Sequence, residues 1–353
     1  MSYNVQDLTG GSQLSRKRLE AEDSDTPRPK RPRTCSPPRL SPCLGHLPQP
    51  RGAVPRDSAI SQIGPYTLLD LQEGHRVHLA IHQHKDEPYL CKVYTMKEYH
   101  KVVMPYSQLP PHPNIAPIAD IILGDQSAYV FRESGHGDMH SHVRRCKRLP
   151  EREAAAIFKQ MTGAVAHCHA HGVLLRDLKL RKFVFGDKDR TKVVLENLED
   201  CHLLEGPGDS LSDKHGCPAY VGPEILSTEN YSGKAADVWS LGIVLYTMLV
   251  GHYPFEDTKP ASLFSKIRRG VFSIPEGLSP KACCLIRSIL RKEPSERLTA
   301  HGILLHPWLS PTGAMSEDSG VHPSSDMGCD QVVPAFEFRE ECKEEELEQA
   351  LYS

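Results

Sequence analysis

The pattern of apolar and polar positions changes character twice along the 353 residues. Up to about residue 62 the apolar positions follow neither a period of two nor one of 3.6, and Pro, Ser, Arg and Gly dominate. Such a stretch buries too little apolar surface to offset its ordering entropy, and it reads as disordered. Alternation sets in from Ile63. Tyr66-Thr67-Leu68-Leu69, Val77 to Ile81, Tyr89 to Tyr94 and Ala128 to Phe131 each fit a short strand. A helical period replaces it over 151–171, where Ala155, Ile157, Phe158, Met161, Ala164 and Val165 share one face. A second apolar helix is predicted over 235–249, with further helices up to Trp308. Pro105, Pro110 and Pro111 are expected to cut short any helix between 99 and 119. Strands first and helices afterwards predict an α+β fold, a small sheet-rich lobe followed by a larger helical one. Beyond Trp308 the chain returns to Ser, Gly, Pro and acid. The expected organisation is a disordered basic segment 1–62, a folded domain 63–309 and an acidic flexible tail 310–353.

Composition supports that division. A hydrophobic fraction of 39% suffices for a packed core, and the net charge of −3 conceals an asymmetry. Residues 1–62 hold ten Lys/Arg against six Asp/Glu, whereas residues 310–353 hold two against eleven. Ends of opposite charge point to different partners. No run of 18 apolar residues suggests a membrane span, and the first ten residues lack a basic-then-apolar leader pattern. Eleven cysteines, an odd number with no CxxC, suit a reducing, intracellular setting. Arg16-Lys17-Arg18 and Lys30-Arg31-Pro32-Arg33 resemble a bipartite nuclear import signal, which implies a nuclear protein with a cytoplasmic pool. The simpler alternative is a solvated basic tail; direct binding of nucleic acid is not expected, nor is a membrane partner.

Candidate chemistry lies in the folded part. Residues 173–179 (VLLRDLK) resemble the catalytic loop of protein kinases, and residues 215–224 (HGCPAYVGPE) the end of the activation segment. Asp237 to Gly242, Glu293 to Leu298 and His306-Pro307-Trp308 match later kinase landmarks in order, so the chain resembles a protein-kinase-like bilobal fold. In that fold catalysis is mostly positioning plus electrostatic stabilisation of a transferring phosphoryl group, so the surviving charges decide the reading. By resemblance Lys92 stands where a lysine grips the α/β-phosphates, Asp177 where the base would be, and Lys179 near the γ-phosphate. The position of the metal-binding asparagine falls at Lys182, a cation where a cation should be bound. The metal-binding aspartate falls at Glu196 or Asn197, the register being open by one residue. Glu196 would keep the carboxylate but add a methylene, against the strict geometry of Mg²⁺, and Asn197 would lose the charge. Of the phosphate-covering glycines only Gly74 remains between Leu71 and Val77. No Asp or Glu occurs at 99–119 to pair with Lys92, and Glu98 follows it too closely.

These losses, with the residue blocks 15–20 (SRKRLE), 137–141 (GDMHS), 195–200 (LENLED) and 331–334 (QVVP), resemble the tribbles family of pseudokinases. The resemblance implies a catalytically inactive adaptor with no cofactor, retaining at most weak, metal-independent contact with ATP. It also implies that Asp330-Gln331-Val332-Val333-Pro334 docks on the WD40 propeller of an E3 ubiquitin ligase. Pro334 fixes its own φ and biases Val333 to an extended shape, which lowers the ordering cost of docking. Ala335 and Phe336 stand where family peptides place an acid. The family further implies MAP-kinase kinases, protein kinase B and basic-leucine-zipper transcription factors as clients, with roles in stress responses, apoptosis and transcription. The alternative is an atypical, metal-independent Ser/Thr kinase in which Lys182 neutralises phosphate.

Other features have simpler readings. The cluster His167, His169 and His171 resembles packing before a kinase catalytic loop rather than a zinc site. Cys283-Cys284 is expected to be a buried helix pair. Glu224 and Arg297 match the buried ion pair of the kinase large lobe, and residues 303–308 (ILLHPW), similar to a tribbles segment that contacts MAP-kinase kinases, are read as core.

Overall fold

Alternate burial along successive strands builds the smaller lobe. The computed structural model describes residues 5–7, 61–69, 76–85 and 87–310. In order these form β1 (Val5–Asp7), β2 (Ser61–Ile63), β3 (Tyr66–Leu69), β4 (Val77–His82), β5 (Pro88–Thr95), α1 (Met96–Gln108), β6 (Asp120–Leu123) and β7 (Ser127–Glu133). The strands make one sheet in the order β1-β6-β7-β5-β4-β3-β2, antiparallel except where β1 runs parallel to β6. One face packs Tyr66, Leu68, Ala80, Tyr89, Cys91 and Phe131 into a small core, with the Tyr66 and Phe131 rings stacked at 3.8 Å.

The larger lobe follows. Its elements are α2 (Met139–Cys146), α3 (Glu151–Ala170), β8 (Val173–Leu174), β9 (Phe183–Phe185), β10 (Val193–Leu195), β11 (His202–Leu203) and β12 (Ser210–Leu211), then α4 (Pro223–Ser227), β13 (Tyr231–Ser232), α5 (Gly233–Val250), α6 (Pro260–Arg269), α7 (Pro280–Ile289) and α8 (Ala300–Leu304). Helix α5 is apolar on all sides because it is the axis of the lobe, packed by α3 and α7. It is long and apolar enough to span a membrane, yet 83% of it is buried inside the protein. A Cβ on Gly242 would come within 2.6 Å of both Ile289 and Leu290, so this glycine permits the close approach of α5 and α7.

The predicted strands and both long helices form, and the fold is that of a protein kinase, with a curled sheet lobe and a helical lobe. Four expectations change. Segment 1–62 contributes β1 and most of β2 rather than no element. Helix α1 runs through Pro105, held by a Thr95/Glu98 capping box at its start and by burial of Val102, Pro105 and Tyr106. The β6 strand and α2 went unpredicted because each is short. Cys284 is exposed and Cys283 only half-buried, so they are not a buried pair.

Candidate functional site

The cleft between the lobes begins at Lys92 on β5. Its ammonium pairs with Glu199 Oε2, and the other oxygen of the same carboxylate accepts from Tyr94 Oη at 2.5 Å and from Arg132 at 3.4 Å. Arg132 lies on β7 opposite Leu90, and Val130 opposite Lys92, so β5 and β7 aim their charges at one point. The Arg132 guanidinium also stacks on the Tyr106 ring of α1 at 5.7 Å. Glu199 therefore joins two strands of the small lobe to the segment leaving β10. Burial pushes its pKa up, but the hydrogen bonds from Lys92 and Tyr94 and the neighbouring positive charges outweigh that and hold it below the usual value. Glu98 is occupied elsewhere, accepting from Thr95 N at 3.1 Å in the capping box and from Arg76 at 3.3 Å.

The floor is a chain of four charges. Lys179 Nζ lies 2.5 Å from Asp177 Oδ2, Lys182 Nζ lies 3.8 Å from the same oxygen, and Lys182 also pairs closely with Asp200. His215 at 3.8 Å and the Lys182 ammonium hold the Asp200 carboxyl well below its usual range. Glu199 and Asp200 are consecutive, one reaching Lys92 and the other Lys182. Glu196 donates its backbone N–H to Lys182 O at 2.8 Å, and burial raises its side-chain pKa. Asn197 Oδ1 accepts from the Glu199 N–H at 3.4 Å, and Leu198 between them is 1% exposed.

The loop carrying Asp177 is held from below. Asp237, buried on α5, accepts the N–H groups of Leu175 and Arg176 at 2.8 and 2.7 Å and bonds His169 Nε2 at 2.8 Å. These bonds retain Arg176 at φ 63°, a left-handed conformation unusual for a residue with a side chain. The Arg176 guanidinium then pairs with Asp213, whose carbonyl accepts from Tyr231 Oη at 2.7 Å. The Glu224–Arg297 pair is bidentate at 2.6 and 2.7 Å and buried, with Arg297 over the Trp239 ring at 4.9 Å. A Cβ on Gly222 would meet both Glu224 oxygens at 2.6 Å, which explains the glycine before Pro223. The roof of the cleft is apolar and open: Val77 and Ile81 are 47% and 46% exposed on the face that Lys92 shares.

A protein kinase domain family model matches residues 74–309. Tribbles homolog 3 of Bos taurus is 54% identical over 96% of both chains. Tribbles homolog 2 of Mus musculus is 57% identical over 85% of this chain and 87% of its own, and human Tribbles homolog 1 is 56% identical over 78% and 74%. The chain belongs to the tribbles family of pseudokinases.

In this tribbles chain Lys92, Asp177, Lys179, Lys182, Glu196 and Asn197 lie around one cleft. Gly74, the ligase-docking residues Asp330 to Pro334 and the basic residues Arg16, Lys17, Arg18, Lys30, Arg31 and Arg33 lie outside the described residues. Sequence reasoning missed Glu199, Tyr94, Arg132 and Asp200. The search for a partner to Lys92 looked only along the following helix, whereas the carboxylate comes from 107 residues away. His167 bonds Pro110 O at 2.9 Å and His171 bonds His167 O at 2.8 Å, so both serve packing. The core reading of residues 303–308 holds only in part: Ile303 and Trp308 are buried, the Trp308 indole N–H donating to Glu151 at 2.9 Å, but Leu305 is 69% exposed and Pro307 faces solvent.

Proposed function

We propose that this protein is a catalytically inactive adaptor whose kinase-like domain holds clients while its tail recruits a ubiquitin ligase. The observation that carries the inactive half is Lys182. Its ammonium occupies the middle of the floor between Asp177 and Asp200, the two carboxylates best placed to attract a divalent cation. Bringing Mg²⁺ there would set a dication beside an ammonium in a partly buried cleft, where repulsion is poorly screened. Burial of Leu198 supports the register in which Asn197 stands for the metal-binding aspartate, Leu198 for the phenylalanine and Glu199 for the glycine. In that register one metal position has lost its carboxylate and the other carries an ammonium, and the residue replacing a flexible glycine ties up Lys92. Weak ATP contact without metal fits the surviving Lys92 and Lys179, so no cofactor is assigned.

The adaptor half draws on the intact large lobe and on the sequence of the tail. Asp330 lies 22 residues beyond Trp308, and a random chain of that length spans very roughly 25 Å. A WD40-type ligase bound to residues 330–334 would be at high effective concentration beside any client on the domain. Clients of the classes implied by the family are MAP-kinase kinases, protein kinase B and basic-leucine-zipper factors, reached from the nucleus and a cytoplasmic pool. The test is ATP binding and phosphotransfer by the full chain with and without Mg²⁺. Binding that is weak and indifferent to Mg²⁺, with no transfer, is expected. Mg²⁺-dependent transfer lost in Asp177→Asn would overturn the reading in favour of a kinase.

A further inference from the structure

Arg132 holds more donors than its surroundings use. It leaves β7 on the sheet face that Lys92 and Tyr94 share on β5, and its side chain is 8% exposed. One guanidinium nitrogen, Nη1, reaches Glu199 Oε1 at 3.4 Å. The other two, Nε and Nη2, are buried and have no hydrogen-bond partner among the described residues. The Tyr94 hydroxyl donates to Glu199, and the Tyr106 ring lies 5.7 Å from the guanidinium carbon, so neither accepts from the open side of the fork. Buried donors left unpaired are rare and costly, and such a pair of N–H groups points to an acceptor.

Charge identifies the acceptor. Lys92 and Arg132 share a single carboxylate, that of Glu199. Glu196, the next acid, is pushed towards its neutral form by burial. A dianion in place of the Glu199 carboxylate would balance both cations. A tetrahedral oxyanion also offers enough acceptor oxygens for the guanidinium fork, the Lys92 ammonium and Tyr94 Oη together. Exchange asks little of the backbone. Leu198 is buried on one side of Glu199 and Asp200 is held by Lys182 on the other, so only the Glu199 side chain has to turn.

We propose that Lys92, Tyr94 and Arg132 form a metal-free site for a phosphate dianion, with the Glu199 carboxylate as its internal substitute. This rests on the reading of the cleft as one that organises no Mg²⁺, and it adds Arg132 as the residue that supplies positive charge there. The ligand is inorganic phosphate or the phosphate of a nucleoside monophosphate, which present the same group to the site.

Calorimetric titration of the full chain in EDTA, with inorganic phosphate and separately with AMP, tests it. Glu199→Ala should bind inorganic phosphate about tenfold or more tightly than the wild type, because the competing carboxylate is gone. Adding R132M to Glu199→Ala should weaken binding about tenfold or more. Adding R132K instead, which keeps the charge but not the fork, should recover part of the loss and guards against misfolding of the apolar variant. AMP binding more tightly than phosphate, with both dependent on Arg132, assigns a nucleotide ligand, and equal affinities assign free phosphate. Three results would overturn the proposal: no phosphate binding by Glu199→Ala, binding indifferent to both Arg132 substitutions, or binding that appears only with Mg²⁺. Mg²⁺-dependent phosphotransfer by the wild type would instead overturn the inactive reading, so the two failures are distinguishable.

Discussion

At Lys92 two anions compete for one ammonium: the Glu199 carboxylate and the phosphates of any incoming nucleotide. A charge-assisted hydrogen bond in a partly buried site contributes about 1.5–3 kcal/mol. Glu199→Ala is therefore expected to tighten metal-free ATP binding about tenfold or more, read by titration of a fluorescent nucleotide analogue. Unchanged affinity would show that Glu199 does not guard the lysine. The pH dependence follows from the depressed pKa of Glu199, to which its hydrogen bonds and neighbouring cations contribute more than burial opposes. Its stabilising contribution is fully present above the unfolded-state value and is lost as pH falls through the lower folded-state value. The stability difference between wild type and Glu199→Gln should be flat over about pH 6–8 and shrink only in acid. Glu196 behaves oppositely, since burial raises its pKa and its ionised form destabilises the fold. Glu196→Gln should raise the urea midpoint at neutral pH, with the gain fading as pH falls through the raised value.

Helices and loops depend on a few buried polar anchors. Arg297 has five hydrogen bonds, two to Glu224 and three to the carbonyls of Ala235, Arg291 and Lys292. Glu224→Ala would leave a guanidinium buried without its counter-charge and should cost about 3–5 kcal/mol, measured by chemical unfolding. A loss below about 1 kcal/mol would mean that solvent reaches the pair. These anchors were readable because each sits inside a motif of fixed spacing. Helix α1 was not: Pro105 argues locally against a helix, and tertiary burial of Val102, Pro105 and Tyr106 overrides it. Glu199 was missed for a related reason. A local search along the chain cannot see a partner supplied by folding across 107 residues.

Across the whole molecule the two-lobed order of strands and helices was legible from periodicity, and the cleft residues from motif order. Their pairing was not, because Lys92–Glu199 joins one lobe to the other and Lys182–Asp200 joins two segments of the larger lobe, contacts that exist only in the folded chain. The molecule then divides its work. The folded domain keeps the Asp237 and Glu224 anchors that shape a kinase, while the cleft pairs its own charges, Lys92 with Glu199 and Lys182 with Asp200. In the proposed function, partner recruitment falls to the surfaces and the tail. The most direct measurement compares ligase capture and client degradation by full-length variants in cells. Lys92→Ala and Asp177→Asn should match the wild type, and the double substitution Val333→Ala/Pro334→Ala should abolish both. A cleft variant that fails while the tail variant works would contradict the account.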